Sequence, residues 1–134
     1  NRENLEAQIQ LAIAHELVDE ADLSLMIYNK LIETNPEFLK AYYNKAAMLL
    51  GLGDYEESSK TFFQLIKRNP DYYKAYLGIA MCFDKMERYQ DATRYYRKFL
   101  KLKRFSEDAL FARQRIKELK EYTPKKSHSL KIVR

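Results

Sequence analysis

A catalyst needs a nucleophile, a base or a metal ligand within reach of one another, and this chain of 134 residues offers few. His15 and His128 are its only histidines and Cys82 its only cysteine. His15 lies in an apolar helical pattern and suits packing better than proton transfer. Cys82 sits among Ala80, Met81 and Phe83, where a buried, inert thiol is expected. One cysteine excludes an internal disulfide and a cysteine-rich zinc site. The adjacent carboxylates Glu56 and Glu57 fall at a helix start, where they serve the helix dipole. No glycine-rich phosphate loop, zinc-ligand spacing or nucleophile elbow is present. The expectation is a chain that is not an enzyme and carries no cofactor or metal. The chemistry left is that of contact: eleven tyrosines, a polar Asn44, and the cations Lys40 and Lys74.

The step from Lys40 to Lys74 recurs along the chain. Asn35-Pro36 returns as Asn69-Pro70, and Lys40-Ala41-Tyr42 as Lys74-Ala75-Tyr76. Ala46 returns as Ala80, Tyr55 as Tyr89 and Lys67 as Lys101. A fixed period of this size, with two apolar-periodic blocks and a proline-marked joint, signals stacked helix pairs.

The blocks are placed by their punctuation. Residues 5–18 form a helix with Leu5, Ile9, Ala12 and Ile13 on one face and Leu11, Ala14, Leu17 and Val18 widening it. Asp22 is the expected cap of a second helix over 23–34, which Asn35-Pro36 ends. A second pair spans about 38–52 and 55–67, with Gly53 closing the first helix and Asp54 capping the next. A third spans about 72–86 and 89–102. Its turn, Lys85 to Arg88, has no glycine, so another residue must take the left-handed conformation there. Ser106 opens a last, highly charged helix to about Tyr122, suited to closing the open end of a stack. Residues 123–134 read as a basic tail.

The residues now on the page resemble the tetratricopeptide repeat, whose motif runs Trp-x2-Leu-Gly-x2-Tyr, then Ala-x3-Phe, then Pro. The third pair carries Tyr76, Ile79, Ala80, Phe83, Ala92, Tyr96 and Phe99 at those positions. The second carries Tyr42, Lys45, Ala46, Leu49, Ser58, Phe62, Leu65 and Pro70, and the first Gln8, Leu11, Ala12, His15, Ser24, Tyr28, Leu31 and Pro36. The resemblance implies an all-α protein, a right-handed α-solenoid of antiparallel helix pairs with seven helices. It implies one domain over residues 1–122, with repeats at about 5–34, 35–68 and 69–102 and a capping helix at about 106–122.

The resemblance also implies that the first helix of each pair lines a concave groove. The candidate groove residues are Ile9, Ile13, Tyr43, Asn44, Ala47, Leu77, Gly78, Met81, Phe111 and Arg115, with Lys40 and Lys74 at the rim. Glycine within a helix costs about 1 kcal/mol relative to alanine, so Gly78 implies either tight packing or room for a ligand. The floor is apolar with soft and aromatic members, suited to a peptide or helix with apolar anchors and acidic flanks. One branch of the family grips a terminal carboxylate with a clamp of Lys, Asn, Asn, Lys and Arg. Here only Asn44 and Lys74 match, while Ile9, Ile13 and Gly78 cannot supply charge-assisted hydrogen bonds.

Charge is graded along the chain. Residues 1–34 hold two basic and seven acidic residues, net −5, and residues 103–134 hold ten and four, net +6. The gradient motivates two further readings of partners: a homo-oligomer built from complementary ends or from the tail entering a neighbour's groove, and an anionic surface or nucleic acid at the basic end. The second has no stacking platform or nucleic-acid motif to support it. No apolar run approaches the ~20 residues of a membrane span and no segment reads as a signal peptide. The expectation is a soluble, cytoplasmic chain, with trimming ahead of Asn1 left open.

Overall fold

The computed structural model describes residues 1–122, and the tail expected at 123–134 lies outside the described residues. Seven helices are present among the described residues: α1 (Arg2–Leu17), α2 (Ala21–Thr34), α3 (Leu39–Leu52), α4 (Tyr55–Arg68), α5 (Tyr73–Lys85), α6 (Tyr89–Leu102) and α7 (Glu107–Leu119). Each packs on the next in chain order, giving three helix pairs and a closing helix.

The three within-pair turns share one solution. Asp19, Gly53 and Glu87 occupy the same place in successive repeats, and all three have positive φ, at 67°, 88° and 61°. Gly53 takes this conformation without penalty, but a side chain there crowds the backbone. Replacing Glu87 by glycine is therefore expected to stabilise the protein by about 0.5–1 kcal/mol, read as an upward shift of the urea midpoint. An unchanged or lowered midpoint would mean that Glu87 makes compensating contacts.

Small residues set the closeness of each pair. Ser24 and Ser58 are buried where α2 crosses α1 and α4 crosses α3. Their hydroxyls donate to the carbonyls of Ala12 at 2.6 Å and Ala46 at 2.7 Å. The third pair has Ala92 against Ala80 at this crossing, both fully buried, with no hydroxyl needed. Tyr28, Tyr42, Phe62, Tyr96 and Phe99 fill the layers between. Tyr42 and Tyr76 also latch the joints, donating to the carbonyls of Pro36 at 2.9 Å and Pro70 at 2.7 Å.

Three local expectations are corrected. α2 starts at Ala21 with Glu20 at its cap, and Asp22 serves only as an acid in the first turn. α7 ends at Leu119, short of Tyr122. Leu11, Leu17 and Val18 do not widen the buried face of α1; they are exposed on its other sides. The caps Asp54 and Ser106 are as expected, accepting from the main-chain N–H of Glu57 and Ala109.

α7 shows why the stack stops. Where α5 has Ile79, Ala80 and Phe83, all buried, α7 has Arg113, Gln114 and Lys117, all exposed. Its other side holds Ala109, Ala112 and Leu119 in the core. The side that would receive an eighth helix is thus made for water.

Candidate peptide-binding groove

α1 touches α3 and α3 touches α5, while the second helices make no comparable contact with one another. Elements on the inside of a curve crowd together, so the first helices line the inner face. Three rows, each stepping from one repeat to the next, run across it: Glu6, Lys40, Lys74, Asp108; Ile9, Tyr43, Leu77, Phe111; and Ile13, Ala47, Met81, Arg115.

The structure divides the sequence-derived candidates. Ile9 and Leu77 are core residues, and Ile9 packs with Tyr28, Leu31 and Ala41. Gly78 leaves no room for a ligand. It is buried, and a Cβ placed on it would lie 2.3 Å from the Phe62 ring of α4. Tight packing is the reason for this glycine, so Gly78 is not a groove residue, and neither are Ile9 and Leu77. Ile13, Tyr43, Asn44, Ala47, Met81 and Phe111 remain half-buried or exposed.

Tyr43 is the central feature. Its ring lies 6.0 Å from Phe62 and 5.8 Å from Tyr72, centroid to centroid, and the Lys74 ammonium stands 5.9 Å from its centre. Burial, and then the field of Asp108, raise the pKa of its hydroxyl. Asp108 therefore acts on Tyr43 from the start of α7, on the far side of the inner face. Asp108 continues the row of Glu6, Lys40 and Lys74, the one sequence signal that points to its place.

The rim is less basic than its composition suggests. Lys40 is paired with Glu6, its Nζ 3.0 Å from both carboxylate oxygens. Lys74 has no carboxylate at ion-pair distance among the described residues. The Asn44 amide donates back to the Lys40 carbonyl at 2.8 Å, the helical back-bond of a structural asparagine.

At the α7 end the floor dips into a hollow of about 300 Å³ lined by Met81, Asp84, Lys85, Tyr96, Phe111 and Arg115. Arg115 is half-buried here rather than free. Its Nε and one terminal nitrogen hold the two Asp84 oxygens at 2.9 and 2.7 Å, and its other terminal nitrogen meets Glu118 at 2.8 Å. These bonds hold its pKa above the ordinary guanidinium value. The Tyr96 hydroxyl donates to the same Asp84 at 2.8 Å, and burial followed by this bond raises its pKa. Tyr28 repeats the arrangement with Glu16 in the first pair. Phe111 meets the edge of Tyr96 at 6.0 Å and keeps 44% of its surface exposed. At the other end Ala47 borders a hollow of about 220 Å³ with Glu16, Asp19, Met48 and Leu52.

Among the described residues, neither His15 nor Cys82 adds chemistry to this face. Cys82 is fully buried, burial raises its pKa, and its thiol meets the Ser58 hydroxyl at 3.4 Å. His15 pairs with Glu20 at 2.9 Å. No helix among the described residues is long and apolar enough to cross a membrane.

Residues 27–58 and 73–105 each match a model of the tetratricopeptide repeat. An uncharacterised protein of Methanocaldococcus jannaschii is 42% identical over 45 residues, a match covering 34% of this chain and 52% of that protein. The chain thus matches about half the length of that curated relative. Among solved structures, the N-terminal domain of stress-induced protein-1 from C. elegans superposes with TM-score 0.78 at 20% identity, covering 88% of this chain and 95% of that one. The first TPR of Spaghetti (RPAP3) bound to an HSP90 peptide gives 0.80 at 14%, covering 91% and 94%. PcrH in complex with the chaperone binding region of PopD gives 0.81 at 13%, covering 91% and 95%. With two repeats matched in sequence and the whole stack matched in shape, the chain belongs to the tetratricopeptide-repeat family.

Proposed function

We propose that the inner face binds an extended or helical protein segment through apolar anchors, with Tyr43, Met81 and Phe111 as its main contacts and Ile13, Ala47 and Asn44 beside them. Tetratricopeptide repeats are non-catalytic interaction modules, and this chain is a protein–protein interaction scaffold in that general sense. The observation that carries the finer reading is Phe111. A large aromatic stays 44% exposed at the lip of a hollow, beside a flexible methionine, on the side where the first helices converge. Exposed aromatic and methionine surface of this kind is enriched at interfaces. Spaghetti and PcrH are each solved with a protein segment bound, which supports the reading by analogy of fold alone.

The partner is expected to use apolar side chains more than a terminal carboxylate. Lys40 is neutralised by Glu6, Gly78 is filled by Phe62, and Ile9 is buried. Lys74, with its ammonium over Tyr43, is the rim cation left for an acidic flank. Self-association through the tail concerns residues outside the described ones. The basic cluster of Arg97, Lys101, Arg104 and Arg113 borders a hollow of about 450 Å³ away from this face. An anionic partner there would be a separate site.

Peptides selected from a random display library against the full chain test the groove. Phe111→Ala is expected to weaken a selected peptide by about 5–30-fold, equivalent to about 1–2 kcal/mol, with the helical circular dichroism unchanged. Tyr43→Ala should weaken it at least as much. Peptides indifferent to both substitutions would place binding on another surface.

A further inference from the structure

The joints between repeats act as references for one another. The first two read Thr34-Asn35-Pro36-Glu37 and Arg68-Asn69-Pro70-Asp71. Their acids, Glu37 and Asp71, are exposed although a complete further repeat follows each joint. The third joint reads Leu102-Lys103-Arg104-Phe105. Phe105 stands in the place of the acid and is 80% exposed, and Leu102, in the place of the exposed Thr34 and Arg68, is 41% exposed. This exposure belongs to the joint itself and not to the place of the repeat in the stack.

Single exposed apolar residues are ordinary; the charge around these two is not. Between Asp91 and Glu107 the chain carries six basic residues and no acidic one. The matching stretches 58–72 and 24–38 carry three basic with one acidic, and one basic with two acidic. Arg94 is held by Asp91 at 3.5 Å, and the Lys103 ammonium lies 5.2 Å from the centre of the Tyr73 ring. Arg97, Lys101 and Arg104 have no carboxylate at ion-pair distance among the described residues. Arg97 and Lys101, four residues apart on α6, repel each other. Both border the hollow of about 450 Å³ together with Arg104, and the Arg104 guanidinium lies 6.0 Å from the centre of the Phe105 ring. The unpaired cations and the exposed aromatic therefore form one corner.

We propose that this corner is a docking site for an anionic lipid bilayer, with Phe105 and Leu102 entering the interface and Arg97, Lys101 and Arg104 meeting the headgroups. Each part has a use there. A membrane interface takes an aromatic and an aliphatic side chain alike, at the boundary of headgroups and acyl chains. Cations beside them are drawn to the negative surface and keep their charges in the headgroup layer. Nucleic acid would use the cations and could stack on Phe105, but it gives Leu102 no role. Attachment through one loop is peripheral and reversible. The corner is separate from the groove, so the two can fail independently.

The chain has no tryptophan, so Phe105→Trp supplies a single reporter. The full chain with this substitution is mixed with vesicles of phosphatidylcholine and about one-third phosphatidylserine. Its emission should shift to the blue and become protected from an aqueous quencher. Pure phosphatidylcholine vesicles should give neither change, and added salt should weaken the binding. In co-sedimentation with the mixed vesicles, Phe105→Glu restores the acid of the first two joints and should weaken binding about tenfold or more, with the helical circular dichroism unchanged. Arg104→Ala should weaken it about fivefold. Leu17→Glu, at an exposed leucine of α1, should leave it unchanged. Binding to neither kind of vesicle, or equally to both, would overturn the proposal. So would binding indifferent to Phe105→Glu, which would come from other basic residues of the chain, and binding without a fluorescence change, which would be electrostatic alone. Tighter binding to a single-stranded oligonucleotide than to vesicles at the same salt, lost in Phe105→Glu, would assign the corner to nucleic acid and equally overturn it.

Discussion

Replacing Gly78 by alanine is expected to destabilise the protein by about 1–3 kcal/mol, although alanine is the better helix former by about 1 kcal/mol. The reason is the Phe62 ring, whose nearest carbons would lie 2.3, 2.4 and 2.7 Å from the added Cβ. Phe62 is 1% exposed and is packed edge-on by Tyr43, so the ring cannot swing into solvent. Either α5 lifts from α4 or the ring leaves its rotamer, and both outcomes disturb the middle of the stack. Gly78→Leu should be worse still. The discriminating measurement is a double-mutant cycle with Phe62→Leu, in which the smaller side chain recovers part of the loss and gives a clearly non-additive sum. Equal urea midpoints for wild type and Gly78→Ala would refute the packing account.

Asp84→Ala should cost a similar amount, about 2–3 kcal/mol, by a different route. Asp84 is the joint acceptor for the Tyr96 hydroxyl, buried in the third pair, and for the two-pronged grip of Arg115 from α7. Removing it leaves a buried hydroxyl without its partner and a guanidinium held only by Glu118. The figure is set below that of a fully buried pair because Arg115 keeps 29% of its side chain exposed. Arg115→Ala should be milder, since Asp84 keeps Tyr96 and its remaining oxygen reaches solvent. Hydrogen exchange should show the loss first in α7, with α1 and α2 unaffected. A larger effect from Arg115→Ala than from Asp84→Ala would reverse this ordering of roles.

These two positions mark the limit of what the sequence discloses. The repeat interval determines the helix pairs, the turn at Gly53, the caps at Asp54 and Ser106 and the small residues at each crossing, because those are local or periodic properties. It does not determine how far each helix is rotated about its own axis. Gly78 could face a ligand or a ring, and only the seating of α5 on α4 decides. Leu11 and Val18 read as part of the buried face of α1 because apolar residues surround that helix, and hydrophobicity alone does not choose between two such sides. Arg115 lines the hollow beside Met81 and Phe111, but its charge is taken up by Asp84, far earlier in the chain on α5. Pairings of this kind depend on which surfaces meet.

The polar side of α7 bears on how such a chain can change length. The number of repeats is not imposed by the curvature or by the turns, which are the same in each pair. At the α7 end the described stack is closed by a stop signal of three residues, Arg113, Gln114 and Lys117, in place of Ile79, Ala80 and Phe83. Everything before that signal is a repeating phrase. A duplication of one whole repeat ahead of α7 would add a helix pair whose two faces already fit their neighbours, and the same terminator would still end the array. Growth or loss by whole units therefore requires no new interface, which makes the length of this scaffold the most easily altered of its properties.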